Sequence, residues 1–269
     1  MTADTATFIA LFGAWRRTVT YENLDIQLGG KMDLDPAALF DKIVRRRRGG
    51  VCLEQNAVLA RLLRLAGFAV TMVEAGVMVA ERGDSEWGNH CALVVDVEGQ
   101  RWFADAAMGD GFVEPLPLRE GPHAQEGVVF RLELLDAAPE TETWRFRHHP
   151  EGGIASTDFR LQPREISDFL DLGDWASTSP DSPFFSTLIV ARPVDGGHSV
   201  LLSRTLRRLG GGSGGAPRTI GSAEEFAATL AERFRIPLDD LGPGAVERLW
   251  ERAGVQDDLW KDRSRRNGA

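Results

Sequence analysis

The spacing of apolar residues divides this chain into stretches of different period. Residues 7–15 read as a short amphipathic helix, and 21–25 as a connecting segment. A second helix is better marked, with Asp35 as N-cap, Pro36 at the first helical position and an apolar stripe of Leu39, Phe40, Ile43 and Val44. Gly49 and Gly50 stop it. A third helix is predicted over 52–66, with apolar pairs at Val58/Leu59, Leu62/Leu63 and Leu65/Ala66 and Gly67 as the residue that ends it.

From Phe68 the period falls to two. Strands are predicted over 68–79, 91–97 and 101–106, with Glu98-Gly99 as a two-residue hairpin turn between the second and third. Residues 128–135 and 143–147 continue the pattern, so the middle of the chain reads as a small antiparallel sheet or barrel. Residues 171–183 are turn-rich, strand character resumes over 185–192 and 199–206, and 210–215 read as a flexible loop. The tail returns to helix: Ser222 and Glu225 form a capping box, Phe226, Leu230 and Phe234 recur every fourth residue, and Pro237 closes the segment. Helices, then sheet, then a smaller mixed segment make up the order.

Composition narrows the function classes without choosing one. The 269 residues are 43% hydrophobic and 26% charged, ordinary globular usage that gives no need for disorder. A formal charge of −9 excludes a general nucleic-acid binder, which needs a basic footprint. The one basic run, 45–48, falls in the last turn of the second helix, where cations suit the helix dipole, and reads as a solvated or salt-bridged face. Two cysteines, Cys52 and Cys91, are too few for a disulfide framework and point to a reducing compartment, so cytoplasmic localisation is expected. The first residues lack the basic n-region of a signal peptide, and no apolar run approaches the ~20 residues of a membrane span.

Cys52 stands at a helix start behind two glycines. There the dipole and unpaired backbone N–H groups favour a thiolate, and the glycines let a substrate approach the backbone. His90 and Asp105 supply a partner pair. If Glu98-Gly99 is the hairpin turn, Val97 opposes Gln100, Asp105 falls opposite Ala92, and His90 lies two residues further on the same face. Cys91 then points the other way and reads as core. A carboxylate holding one imidazole nitrogen leaves the other for the thiol proton, the logic of a nucleophilic triad. His123, His148, His149 and His198 have loop-like contexts with no partner at metal-ligand spacing, so they read as surface residues and no metal is expected. Gly29-Gly30 and the 210–215 glycines read as turns, not phosphate loops.

These residues resemble the arylamine N-acetyltransferase family. The match runs through Glu22-Asn23-Leu24-Asp25, then Arg48-Gly49-Gly50-Val51-Cys52-Leu53-Glu54-Gln55-Asn56, Gly67-Phe68, His90, Asp105, residues 177–184 and Arg233-Phe234-Arg235-Ile236. The resemblance implies an α+β fold with a papain-like triad arrangement: an N-terminal helical bundle (1–67) carrying Cys52, a central antiparallel β-barrel (68–175) carrying His90 and Asp105, and a C-terminal α/β lid (176–269). It implies ping-pong transfer of an acetyl group from acetyl-coenzyme A to a small-molecule arylamine, hydrazine or related amine through acetyl-Cys52, with oxyanion donors among the backbone N–H groups near Cys52. It also implies an Arg48–Glu54 ion pair, a bracing role for Asn56, and substrate contacts at Val51, Leu53, Met108, Gly109 and Phe184, and leaves the contacts with coenzyme A open.

The chain departs from the family where aromatics flank the nucleophile, here Val51 and Leu53, and where Val-Gly-Phe-Gly follows the aspartate, here Ala106-Ala107-Met108-Gly109. Met108 replaces a rigid wall with a flexible thioether. That suits a second reading, an amide synthase of the same family releasing a bulky acyl chain from an acyl carrier protein. A papain-like hydrolase shares the Cys, His, Asp order, and a non-catalytic binding protein is the third class.

Overall fold

The computed structural model describes residues 2–210 and 216–267, with side chains described through Asp257. The expected glycine loop lies, beyond Gly210, outside the described residues. Helix α1 (Thr5–Thr18) is longer at both ends than its periodicity predicts, because Asp4 caps it through Thr7 N at 2.8 Å. The expected connecting segment is instead strand β1 (Tyr21–Glu22) and one turn of helix, α2 (Leu24–Gln27). No local pattern marks β1, because its strand character comes from pairing with Ala191 and Val190, far along the chain.

Helix α3 (Pro36–Phe40) starts at the Asp35 cap and widens into a π turn, Asp41–Arg45. Helix α4 (Cys52–Leu65) follows, and Gly67 at φ 96° closes it as expected.

Strand β2 (Ala69–Val77) leads through the helical turn α5 (Val79–Arg82) to β3 (His90–Val97) and β4 (Gln100–Phe103). The β3–β4 turn is the expected one: Val97 pairs with Gln100, and Glu98 and Gly99 both take positive φ, 50° and 79°. Regular pairing stops at Phe103 rather than running to Ala106, although Ala104 N still donates to Leu93 O at 2.9 Å. Strands β5 (Leu116–Pro117), β6 (Gly121–Gln125), β7 (Val128–Asp136), β8 (Thr143–Arg147) and β9 (Ser156–Arg164) complete the sheet. The periodicity misses β9 because Asp158 interrupts it. That carboxylate is buried against Arg145 of β8, which grips both its oxygens at 2.7 Å.

Among the described residues this antiparallel sheet has the order β5-β4-β3-β2-β9-β8-β7-β6 and rolls into a nearly closed barrel. Its interior is aromatic. Phe103 stacks on Phe159 at 4.3 Å, and Phe112, Phe130 and Phe146 fill the space beside them.

Residues 171–183, expected as turns, include helix α6 (Leu170–Thr178). Tertiary packing overrides weak propensity here: Gly173 lets the helix sit close against Leu34, and Ser177 Oγ bonds back to Gly173 O at 2.7 Å. The next expected strand begins late, after the helical turn α7 (Pro183–Ser186), as β10 (Ile189–Val194). The expected strand over 199–206 is a hairpin, β11 (Gly197–Leu202) and β12 (Thr205–Leu209), whose turn is made by Ser203 at φ 51° with no Gly or Pro to announce it. Strand β13 (Arg218–Thr219), α8 (Ala223–Ala228) with its Ser222 cap, and α9 (Ala245–Asn267) finish the described chain. The second sheet has the order β1-β10-β11-β12-β13.

Two apolar cores result. One joins α1, α3 and α4 to the barrel, and the other gathers Leu24, Val190, Leu201, Phe226, Leu230 and Leu249. Strand β1 links the two, since Glu22 N donates to Gly50 O at 3.2 Å while its other edge pairs with β10. Among the described residues, no helix is long and apolar enough to cross a membrane.

Candidate active site

A lattice of buried charges positions the loop before Cys52. Arg48 is fully buried, and its Nε and Nη2 donate to Glu22 Oε1 at 3.0 and 2.9 Å, Nη2 also to Asp25 Oδ1 at 2.9 Å and Nη1 to Asp240 Oδ2 at 3.3 Å. The expected Arg48–Glu54 pair is therefore corrected: Glu54 takes Lys42, at 2.7 Å. The basic run divides, because Arg45 and Arg46 pair with Asp41 near the surface while Arg47 at φ 55° turns the chain inward and buries Arg48.

Glu54 also reaches back to Val51 N at 3.0 Å, the half of a capping box that a valine cap permits. Gly49 can be no other residue without rearrangement, since a Cβ there would lie 1.8 Å from Thr20 O. Cys52 thus enters α4 with the first-turn N–H groups lacking any intrahelical acceptor.

His90 and Asp105 meet as the register predicts, His90 Nε2 lying 2.5 Å from Asp105 Oδ2. The other carboxylate oxygen accepts from Asn56 Nδ2 and from Ala107 N, both at 3.0 Å. Asn56 also donates to Cys91 O at 2.9 Å and accepts from Ala106 N at 3.2 Å, so it fastens the end of β4 to α4. Burial disfavours the His90 imidazolium, but Asp105 and Cys52 beside it more than compensate, and its pKa is pushed up to about 10. Burial likewise works against the Asp105 carboxylate, yet His90 and Asn56 hold its pKa below the usual range. Cys91 is core, as expected, its thiol 3.9 Å from Cys52 O and its pKa pushed up by burial.

Cys52 and His90 share a cavity of about 700 Å³ between α4, the barrel mouth and the second sheet. Val51, Leu53, Met108, Gly109 and Phe184 all line it, with Asp181 from the 177–183 segment. The sequence reading missed Tyr21, Met32 and Trp175 in the same wall. Tyr21 belongs to a two-residue strand with no local signal, and its pairing with Ala191 of β10 places it in the wall.

Arg16 was also missed. Buried in α1, it donates to four main-chain carbonyls of the segment after Asp105: Ala106 at 2.7 Å, Phe112 at 3.0 Å, Gly109 at 3.1 Å and Gly111 at 3.2 Å. Burial lowers its pKa to about 10, with Asp105 and Asp110 opposing the shift.

The four remaining histidines are not surface residues. His123, His148, His149 and His198 are all buried, because β6, the end of β8 and β11 carry them inward. His198 Nε2 lies 3.5 Å from Arg16 Nη2, and burial with that cation lowers its pKa to about 3. His148 and His149 meet Asp110, a partner that sequence spacing cannot reveal.

The fold occurs in known proteins. A family profile described as N-acetyltransferase matches residues 4–241. Arylamine N-acetyltransferase 1 of Mesocricetus auratus is 32% identical over 230 residues, 77% of each chain. The arylamine N-acetyltransferase / N-hydroxyarylamine O-acetyltransferase of Salmonella typhimurium is 30% identical over 233 residues, 85% of this chain and 81% of that one. Among solved structures, Mycobacterium marinum arylamine N-acetyltransferase in complex with CoA aligns with a TM-score of 0.81 at 26% identity, covering 94% of both chains. The fold and these matches define an acyltransferase enzyme. The chain belongs to the arylamine N-acetyltransferase family.

Proposed function

We propose that this enzyme transfers an acetyl group from acetyl-coenzyme A to an arylamine, hydrazine or related amine by a ping-pong route through acetyl-Cys52. The observation that carries the reading is the 2.5 Å contact of His90 Nε2 with Asp105 Oδ2 beside Cys52 in the cavity wall. With Nε2 so engaged, Nδ1 is the ring nitrogen left to serve the thiol.

Cys52 sulfur attacks the thioester carbonyl carbon, and the oxyanion draws on the free N–H groups at the head of α4. As the carbonyl re-forms, the bond to coenzyme A breaks and its sulfur takes the proton from imidazolium His90. An amine nitrogen then attacks acetyl-Cys52 and gives its proton to His90, and the Cys52 thiolate leaves. Asp105 keeps the ring in one tautomer and stabilises its charged form. The division into a nucleophile segment (1–67), a His–Asp segment (68–175) and a covering segment (176–269) is part of this reading, as are roles for Val51, Leu53, Met108, Gly109 and Phe184 as acyl and amine contacts.

The wall of the cavity favours a second reading. At about 700 Å³, walled by Met32, Met108 and Trp175, it takes the thioester arm of the donor together with the amine, and its adaptable methionine wall also leaves room for a bulkier acyl chain delivered as a carrier thioester. Incubation with acetyl-coenzyme A followed by intact-mass measurement tests the first reading. One added acetyl group, absent in Cys52→Ala and discharged by an arylamine, is expected. An unmodified chain that instead takes up a long acyl group from a carrier thioester would transfer the assignment to the second.

A further inference from the structure

We propose that Asp110, His148 and His149 form a binding site for one divalent first-row transition ion, zinc(II) in the first instance, directly behind the wall of the acyl-transfer cavity. Each residue offers one ligand atom, and these atoms all lie within 4.8 Å of one another. His148 Nε2 lies 3.4 Å from Asp110 Oδ1, close to the edge of about 3.4 Å that a tetrahedron with bonds of ~2.0–2.1 Å requires.

The second observation is orphaned polarity. Both ring nitrogens of His148 and Nδ1 of His149 are buried without a hydrogen-bond partner. A buried donor or acceptor left unsatisfied keeps its full desolvation penalty, so several gathered at one carboxylate call for an occupant.

The surroundings suit an ion. Asp110 Oδ2 accepts from Gly153 N at 2.7 Å, which fixes the carboxylate with Oδ1 towards His148. Phe130 and Phe146 stand edge-on to His148 at 5.5 and 5.7 Å and make a dry, stiff backing. Two imidazoles and one carboxylate are a donor set for zinc or iron(II), not for magnesium or calcium, which take oxygen ligands. Arg16 opposes a cation here, but its guanidinium is already committed to four carbonyls, and Asp105 and Asp110 offset its charge.

The site joins two walls of the cavity. Asp110, Gly152 and Gly153 all line it. A bound ion would therefore clamp the segment following Asp105 to the turn following β8 and set the shape of that side of the pocket.

The test uses the wild-type chain and Cys52→Ser, which removes thiolate as a competing ligand. Each is equilibrated with zinc, desalted and assayed for retained metal, then titrated with cobalt(II) while visible absorption is recorded. One zinc per chain and tetrahedral cobalt bands in both proteins are expected, with affinity at least about tenfold weaker in His148→Gln and in His149→Gln, the scale of loss seen when metal surroundings are disturbed. Zinc should also raise the unfolding temperature of Cys52→Ser, and raise it clearly less when His148→Gln is added to Cys52→Ser. Should His148→Gln fail to fold, His149→Gln and Asp110→Asn provide the comparison. No retained zinc and no cobalt bands in Cys52→Ser would mean that a buried water alone joins the three side chains, and the site is then refuted. Equal refutation comes from retention undiminished in the variants.

Discussion

Asn56 donates to Asp105 Oδ1 at 3.0 Å while His90 takes Oδ2, so the carboxylate that orients the imidazole is itself held by the helix that begins at Cys52. One amide therefore couples the two halves of the candidate site. Asn56→Ala removes that coupling and leaves Cys91 O and Ala106 N without their partner. Its turnover should fall about ten- to a hundredfold with folding retained, and a loss confined to kcat checks that the amide acts through Asp105.

Asp105→Asn keeps the shape but cannot stabilise the charged ring. A fall in acetylation rate on the order of 10²–10⁴ is expected from stopped-flow mixing with acetyl-coenzyme A. A rate equal to the parent's would remove Asp105 from the mechanism.

The pH dependence has a defined sign. His90 has a folded pKa raised to about 10, so its stabilising contribution is complete below the ordinary value near ~6.5 and is lost as pH rises through about 10. Asp105 has a lowered folded pKa, so its contribution is present above the ordinary ~3.9 and is lost on acidification through the folded value. Urea unfolding of the parent and of His90→Gln across this range should show the difference between them shrinking as pH climbs from ~6.5 to 10. A gap that widens over that interval contradicts the assignment.

Arg48→Met strands Glu22 in the interior beside the Cys52 loop, while partly exposed Asp25 keeps Lys42 at 2.8 Å. A loss of about 3–5 kcal/mol is expected, the cost of removing one partner of a buried ion pair, read from denaturant midpoints. Arg48→Lys should recover only part of it, because an ammonium cannot reach all three carboxylates as the fork does.

Arg16→Met should destabilise by a similar ~3 kcal/mol, since four carbonyls lose their donor. Its distinguishing mark is a rise in KM, measured by steady-state assay, because Met108 and Gly109 sit on the loop it ties.

The β3–β4 turn and its register, the Asp35 and Ser222 caps, the helix start at Cys52 and the His90–Asp105 pairing were legible in the sequence, because each is set by residues within a turn or hairpin of one another. The rest depends on partners that the chain supplies from afar. Glu22 and Arg48 read as a connector and a surface cation until β1 is paired with β10 and Arg48 is folded beneath it. Likewise Asp110 finds His148 and His149 only when the barrel closes. Local periodicity reports which face of an element is apolar. Whether a buried charge is tolerated depends on a counter-charge brought up by a different element, and that information exists only in three dimensions.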